Sequence, residues 1–310
     1  MAPIREIHQN PQGALGVSYA FLASLTAAIT TIIAKPVLDV LNPVTFGFFQ
    51  FLFSSLFAFL WILYKREIHL LFSLRPGLIL YLLLQTLLTF LGLYTFWVGL
   101  SLMEPTSASL LNRLEVPITV LLGIAFLRER FTVREAIGGV LISFGIIVLK
   151  YKAPPSLSHG FWWIVASSCC FGLLEVLAKM KIEEVSPSLF LFFRNPIVTL
   201  LLGLTGFFGR GVLPYAPTEF LNLPENPLFW ILLTAATGLT GSFLARIYYL
   251  QSLVHIEVSK TALINQTQPL FVALFSFIIL TTSPTPRELL AAAFILTGGG
   301  LLVLRHRDRQ

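Results

Sequence analysis

Charged side chains are scarce in this chain. Only 12% of its 310 residues are charged, half of the roughly 25% found in soluble domains, whereas 56% are hydrophobic. A chain of this composition cannot keep most of its surface in water, which excludes a soluble globular protein. We therefore expect an integral membrane protein that has the lipid bilayer as a partner.

Cysteine and the common catalytic motifs are also rare or missing. The two cysteines, Cys169 and Cys170, are adjacent and cannot reach ordinary disulfide geometry. No GxxxxGK sequence is present, so an ATP-driven engine is excluded and transport would be gradient-driven or passive. The sequence also has no His-Glu-x-x-His motif, and its histidines fall in tails, loops or helix ends. We predict no enzyme activity, no cofactor and no metal site.

Long apolar stretches dominate what is present. An α-helix crosses the hydrocarbon core in about 20 apolar residues, and proline, glycine and charge clusters divide the chain into ten such stretches. The predicted fold class is therefore an all-α integral membrane protein with ten transmembrane helices. The predicted spans are 14–34, 45–64, 77–101, 105–127, 132–149, 160–180, 188–208, 228–253, 258–280 and 287–304.

Basic residues are unevenly placed between the two predicted membrane faces. With a cytoplasmic N-terminus, 13 lysines and arginines fall at the inner face and five at the outer face. This asymmetry predicts that both termini are cytoplasmic. The net charge of +6 thus reflects topology, and no soluble basic domain is available to bind nucleic acid.

The two halves of the chain repeat each other. An offset of 144 residues aligns Lys35 with Lys179 and Phe46 with Phe190, and an offset of 152 aligns Pro117 with Pro269. The repeats are predicted over 14–150 and 160–304. Because five spans is an odd number, the second repeat must enter the membrane from the opposite side, as in alternating-access carriers.

The fourth span carries a family resemblance. The sequence Asn112-Arg113-Leu114-Glu115-Val116-Pro117, followed by Leu127-Arg128-Glu129-Arg130-Phe131-Thr132, resembles the EamA domain of the drug/metabolite transporter superfamily. The resemblance covers nearly the whole chain and implies ten helices in two domains, a small-molecule substrate and a bacterial cytoplasmic (inner) membrane. The second repeat departs from the pattern, with Thr267-Gln268-Pro269 in place of the glutamate position.

Five charged residues lie inside predicted spans: Arg113, Glu115, Glu175, Arg194 and Arg246. Each unpaired charge at the bilayer centre costs roughly 2.5 to 3.5 kcal/mol on insertion scales, so these residues must be paired or hydrated. Both solutions point them into the interior of the helix bundle. The excess of arginine over glutamate there would suit a substrate with a carboxylate or phosphate.

Glu115 is the first candidate for a coupling or substrate-contacting residue. A membrane-buried carboxylate can exchange a proton for substrate, which makes the proton a candidate coupling ion. The alternative is a structural ion pair. Arg113 is not the expected partner because positions i and i+2 do not share a helix face, so Arg246 or a base on another helix is expected.

Pro117 and Pro269 occupy equivalent positions in the two repeats. Each lacks an N–H, so the carbonyls of Arg113 and Asn265 lose their helical partners and need another donor. Matched interruptions favour a binding site at this level, and an ordinary proline kink is the alternative. The hydrogen-bonding candidates beside them are Asn112, Asn265 and Gln268.

Further candidates lie on the sixth span and the third span. Glu175 and Lys179 are spaced i, i+4 and can pair near one end of the sixth span, where Lys179 repeats Lys35. Such lysines would suit gates, or would only anchor helix ends. Three aromatic candidates, which would wall an amphipathic substrate or pack between helices, are Tyr94, Trp97 and Tyr248.

These features favour a secondary transporter that works by alternating access. We expect small amphipathic metabolites, amino acids or related compounds, as substrates and export as the direction. An exchanger or importer of anionic metabolites, such as sugar phosphates or nucleotide sugars, is the alternative that the interior arginines favour. A channel is a further rival that saturable flux would exclude. Monomer and homodimer both remain open.

Overall fold

The computed structural model of the protein describes residues 11–69, 75–115, 117–119, 121–122, 133–150, 155–181, 185–209, 225–256, 261, 264–265 and 267–303. Across these residues the regular structure is helical and contains no strand, which confirms the predicted all-helical class. The helices are α1 Pro11–Leu38, α2 Pro43–Tyr64, α3 Pro76–Ser101, α4 Pro105–Asn112, α5 Val133–Lys150, α6 Pro155–Lys181, α7 Pro187–Phe208, α8 Pro227–His255, α9 Gln268–Leu280 and α10 Pro286–Val303.

Proline begins many of these helices. Pro43, Pro105 and Pro187 stand in the first turn of α2, α4 and α7, where a missing N–H removes no intrahelical bond. Asn42 caps α2 by accepting from the Val44 N–H at 2.9 Å, and Ser186 caps α7 in the same manner. Proline and a polar cap therefore separate consecutive apolar helices with only a few residues between them.

Six of the described helices are long and apolar enough to cross a membrane. They are Gly13–Leu38, Pro43–Tyr64, Pro76–Ser101, His159–Leu177, Pro187–Phe208 and Pro227–His255. The apolar helix Gln268–Leu280 is shorter. The predicted fourth span, 105–127, is not one regular helix, because a turn at Arg113 and Leu114 follows α4. The predicted motif residues Glu129, Arg130 and Thr132 lie outside the described residues.

Four helix pairs make the most extensive contacts: α5 with α10, α3 with α6, α2 with α7, and α1 with α8. In the α2–α7 pair the hydroxyls of Ser55 and Thr199 lie 3.3 Å apart. These two residues are separated by 144 positions, the offset at which the two halves of the sequence align. The short helix α4 lies between α9 and α6, so the residues that follow it enter the interior of the bundle.

The helix α8 is interrupted by a π-helical segment, Gly238–Ala245. Gly238 lies against α2 so closely that an added Cβ would collide with the carbonyl oxygen of Gln50 and come within 3.3 Å of the Ser54 nitrogen. Both atoms belong to backbone and cannot rotate away. Glycine at this position therefore permits α2 and α8 to touch.

Substitution of Gly238 by alanine should therefore destabilise the protein by about 1–3 kcal/mol, the usual cost of overpacking. The control is Gly139→Ala in α5, where an added Cβ meets no atom within 4 Å. Both variants replace glycine by alanine, so the difference between their stabilities reports the steric contact at Gly238. Thermal unfolding in detergent measures the stability of each variant, and equal unfolding midpoints would contradict the close approach of α2 and α8.

Candidate functional site

The first part of the candidate site is built where α4 ends. The Arg113 N–H bonds to the Leu110 carbonyl at 3.2 Å, and the Leu114 N–H bonds to the Leu111 carbonyl at 3.0 Å. These i→i+3 bonds replace the α-helical pattern four residues before Pro117, whose missing N–H leaves the Arg113 carbonyl without a helical donor. The interruption places Arg113, which is only 2% exposed, inside the bundle.

Arg113 connects the two halves of the chain at this level. Its Nη1 donates to the carbonyl of Asn265 at 3.2 Å, and its Nη2 donates to Gln268 Oε1 at 3.1 Å. The Asn265 carbonyl is the one that Pro269 leaves without a helical donor, so a guanidinium satisfies it. The Asn265 side chain in turn accepts from Ser24 Oγ of α1 at 2.9 Å.

Glu115 lies beside this guanidinium, which corrects one expectation. Arg113 Nη2 and Glu115 Oε1 are 3.5 Å apart, although helical spacing makes Arg113 an unexpected partner. That expectation assumes a continuous helix, and the turn at Arg113 and Leu114 brings the two side chains to one side. The other Glu115 oxygen accepts from Asn112 Nδ2 at 3.5 Å.

A second charged cluster joins α6 to α8. Arg246 Nη1 lies 3.2 Å from Glu175 Oε1, and the Tyr249 hydroxyl donates to Glu175 Oε2 at 2.8 Å. Glu175 thus has both carboxylate oxygens bonded to α8. The predicted pair with Lys179 stays a prediction, since the Lys179 side chain lies outside the described residues.

The two clusters lie close to each other. The Glu115 backbone lies against α6 one turn before Glu175, since an added Cβ at Gly172 would be 3.3 Å from the Glu115 carbonyl oxygen. The carboxylate side chains remain partly accessible, at 21% for Glu115 and 26% for Glu175, whereas Arg113 is enclosed. Glu115 and Glu175 are therefore two partly accessible carboxylates in the same region of the bundle, and each is paired with an arginine.

Arg246 keeps unused hydrogen-bonding capacity. Its Nε and Nη2 atoms are buried and have no protein partner among the described residues, while Nη1 is bonded to Glu175. The guanidinium also lies over the rings of Phe190 and Tyr249, at 5.6 and 5.1 Å. Nε and Nη2 form one two-pronged edge, which suits a planar carboxylate or a phosphate.

Arg194 also approaches Phe190 but contacts neither glutamate. Its Nε donates to Asn195 Oδ1 at 2.9 Å and its Nη2 donates to the Ser242 carbonyl at 2.8 Å. Within the described residues no carboxylate is paired with it. The structure therefore separates Arg194, a predicted substrate-contacting residue, from the Glu115 and Glu175 carboxylates.

The remaining predicted residues lie in packing contacts or at a helix end. Tyr94 and Trp97 are buried on α3, where Tyr94 stacks on Phe90 and Trp97 packs edge-on against Phe46. Tyr248 stacks on Tyr19 of α1, with ring centroids 6.0 Å apart. Lys35 pairs with Asp39 at 2.9 Å and donates to the Ser101 carbonyl at the end of α3.

Several residues of the clusters were not selected from the sequence. Ser24 and Ser168 are small hydroxyls in apolar helices, and only the fold brings them to Asn265 and Asn112. Tyr249 follows the candidate Tyr248 in the chain, but its hydroxyl bond to Glu175 depends on the packing of α6 and α8. No local signal in the sequence separates these hydroxyls from the many others.

Comparison with known proteins identifies the family. A profile of the EamA-like transporter family matches residues 14–151 and 158–304, nearly the whole chain. The chain belongs to the EamA-like transporter family. It is a multi-pass membrane transporter of a small-molecule substrate rather than an enzyme, and the expectation drawn from the fourth-span motif is confirmed.

Members and relatives of the EamA-like family extend over most of the chain at low identity. An S-adenosylmethionine uptake transporter of Rickettsia prowazekii is 21% identical over 281 residues, which cover 91% of this chain and 90% of the relative. An uncharacterized transporter of Synechocystis, sll1164, is 21% identical over 66% of this chain and 60% of its own. A chain in a solved crystal structure has a TM-score of 0.65 at 17% identity, covering 94% of this chain and 96% of its own, which supports the fold alone.

Proposed function

We propose that this EamA-like protein is a secondary carrier of zwitterionic, amphipathic metabolites, namely amino acids or related compounds. The observation that carries the proposal is the Arg246–Glu175 pair, in which the arginine keeps Nε and Nη2 free of protein partners. A substrate carboxylate would bind that edge. The accessible carboxylates of Glu175 and Glu115 would bind the substrate's cationic group.

The proposed architecture is ten spans in two inverted five-helix repeats, 14–150 and 160–304, with both termini cytoplasmic in a bacterial inner membrane. Two observations support it. The family profile matches the chain twice, and the α2–α7 contact joins residues separated by the repeat offset. The helix interruptions after α4 and before α9 would then lie at the same depth in the membrane. In alternating access the two five-helix units would rotate relative to each other about a substrate site at that depth.

The Rickettsia relatives carry the name of S-adenosylmethionine uptake transporters. S-adenosylmethionine combines an amino-acid zwitterion with an aromatic base, which fits the chemistry of two arginine–carboxylate pairs, one of which lies against the rings of Phe190 and Tyr249. Export remains our proposed direction for amino acids, and uptake is the direction named for these relatives. A proton bound at Glu115 is the proposed coupling ion.

A second candidate function is the exchange of anionic metabolites such as sugar phosphates. It is favoured by Arg194 and Arg246, which both lie over Phe190 and leave this region with more positive than negative charge. Its substrate would need no cationic group. The two functions therefore differ in whether the glutamates contact the substrate.

Transport into proteoliposomes should separate these functions. A mixed panel of amino acids, S-adenosylmethionine and sugar phosphates is offered with and without an imposed pH gradient, and mass spectrometry reads the lumen. We expect saturable, gradient-dependent flux of the zwitterions only. Gradient-independent counterflow of phosphorylated compounds would replace the proposal by the exchanger, and flux that does not saturate would indicate a channel. Reversing the gradient establishes the direction.

A further inference from the structure

The π-helical segment Gly238–Ala245 ends where the candidate site begins. Arg246 is the first residue after it. In a π-helix the carbonyl of residue i bonds to the N–H of residue i+5, so the wide turns take up additional residues. One inserted residue turns all later side chains by about 100° relative to an α-helix. The direction of Arg246 therefore depends on whether this segment keeps its π geometry.

Two buried side chains hold the backbone of this segment. Gln50 Nε2 of α2 donates to the Thr237 carbonyl at 3.4 Å, just before the segment, and Arg194 Nη2 of α7 donates to the Ser242 carbonyl at 2.8 Å, inside it. Gln50 and Arg194 are separated by the repeat offset of 144 residues. The Arg246 N–H, the α-helical donor for Ser242, bonds instead to the Phe243 carbonyl. Arg194 thus donates a hydrogen bond to the Ser242 carbonyl, which does not receive its α-helical bond from the Arg246 N–H.

The charge of Arg194 is not needed for a hydrogen bond alone. Gln50, at the equivalent position, makes the same kind of bond to α8 with a neutral amide. A cation that is only 4% exposed is costly to bury. The Arg194 charge makes cation–π contacts with Phe51 and Phe190, and it shares the Phe190 ring with a second cation, Arg246.

Both guanidinium groups lie over the ring of Phe190. Its ring centroid is 5.4 Å from the Arg194 Cζ and 5.6 Å from the Arg246 Cζ. Repulsion between the like charges disfavours orientations that bring Arg246 closer to Arg194. The same repulsion increases the affinity of Arg246 for an added anion.

We propose that Arg194 is a positioning residue that fixes the π-helical segment of α8 and thereby directs the Arg246 guanidinium towards the substrate carboxylate. The part concerning the carboxylate rests on the proposed function. The part concerning the π-helical segment does not, because it involves only contacts within the protein.

The test uses the full-length protein purified in detergent, with Arg194→Gln and Arg194→Lys. Hydrogen exchange should accelerate about tenfold at residues 242–246 in Arg194→Gln, because the glutamine amide ends two bonds short of the guanidinium and loses the bond to the Ser242 carbonyl, with little change in α3. Binding of L-methionine should weaken about tenfold, while binding of L-methioninamide, which lacks the carboxylate, should not change. Arg194→Lys keeps the charge and one donor, so its exchange rate at 242–246 and its affinity for L-methionine should both return most of the way to the wild-type values.

The exposed Arg75→Gln serves as the control and should alter neither measurement. Faster exchange throughout the protein, or unchanged exchange at 242–246, would overturn the proposal by showing that Arg194 only stabilises the bundle or has no role in the segment. If Arg194→Gln weakens the binding of L-methionine and of L-methioninamide equally, the proposed effect of Arg194 on the substrate carboxylate is overturned. If the wild-type protein binds neither probe, the proposed substrate class fails, and the exchange measurement alone decides the role of Arg194.

Discussion

Replacement of Arg246 by glutamine is expected to abolish transport, because it breaks the pair with Glu175 and also removes the part of Arg246 that would bind the substrate. Removing one member of a buried, hydrogen-bonded charge pair costs about 2–5 kcal/mol, because the other charge is left unpaired. The same substitution removes the free Nε and Nη2 edge. Flux of the zwitterion found in the proteoliposome panel should therefore fall at least about thirtyfold.

A paired variant separates loss of binding from loss of folding. Arg246→Gln combined with Glu175→Gln removes both charges, so thermal stability in detergent should recover towards the wild-type value while flux stays absent. Arg246→Lys keeps a charge without the two-pronged edge and should give intermediate flux. The exposed Arg75→Gln is the matched control for loss of an arginine. Normal transport by the doubly neutral variant would show that the pair is only structural.

The second large effect is expected from Glu115→Gln, which should abolish pH-driven flux while the protein still folds. Glutamine has nearly the same shape, and its single carbonyl oxygen can still accept from Arg113, one of the two groups that bond to Glu115. It cannot release a proton. The protein should therefore fold almost normally but lose its response to an imposed pH gradient, measured in proteoliposomes with a pH-sensitive dye in the lumen.

Glu104→Gln provides the control for Glu115→Gln. Glu104 precedes α4, is exposed, and makes no capping hydrogen bond through its side chain. Its substitution should leave pH-driven flux unchanged. If Glu115→Gln also retains full pH-driven flux, Glu115 does not couple transport to protons and is a structural partner of Arg113.

The sequence predicts the helical class well because that class depends on composition. Apolar stretches near the length of a bilayer crossing, divided by proline and polar caps such as Asn42 and Ser186, are local properties of the chain. The interruption of the fourth span also follows from one residue, Pro117. Its exact form does not, since the turn at Arg113 and Leu114 depends on bonds formed with Asn265 and Gln268.

The pairing of the interior charges could not be predicted from the sequence. Arg113 is not the expected partner of Glu115 because residues i and i+2 do not meet on a continuous helix, and the turn makes that rule inapplicable. Glu175 had an i+4 lysine as its sequence-based partner, whereas its described partners come from α8. Pairs between helices depend on helix rotation, and a π-helical segment such as 238–245 changes that rotation without any recognised sequence signal.

The contact between Ser55 and Thr199 has a consequence for the history of the chain. In an antiparallel dimer of two identical five-helix subunits, a position on the two-fold axis meets its own copy, and a substitution there changes both sides at once. Fusion of the two subunits would release each position to change alone. Under the proposed inverted-repeat architecture, Gln50 and Arg194 would be such a pair of positions, one neutral and the other carrying the charge that lies beside Arg246.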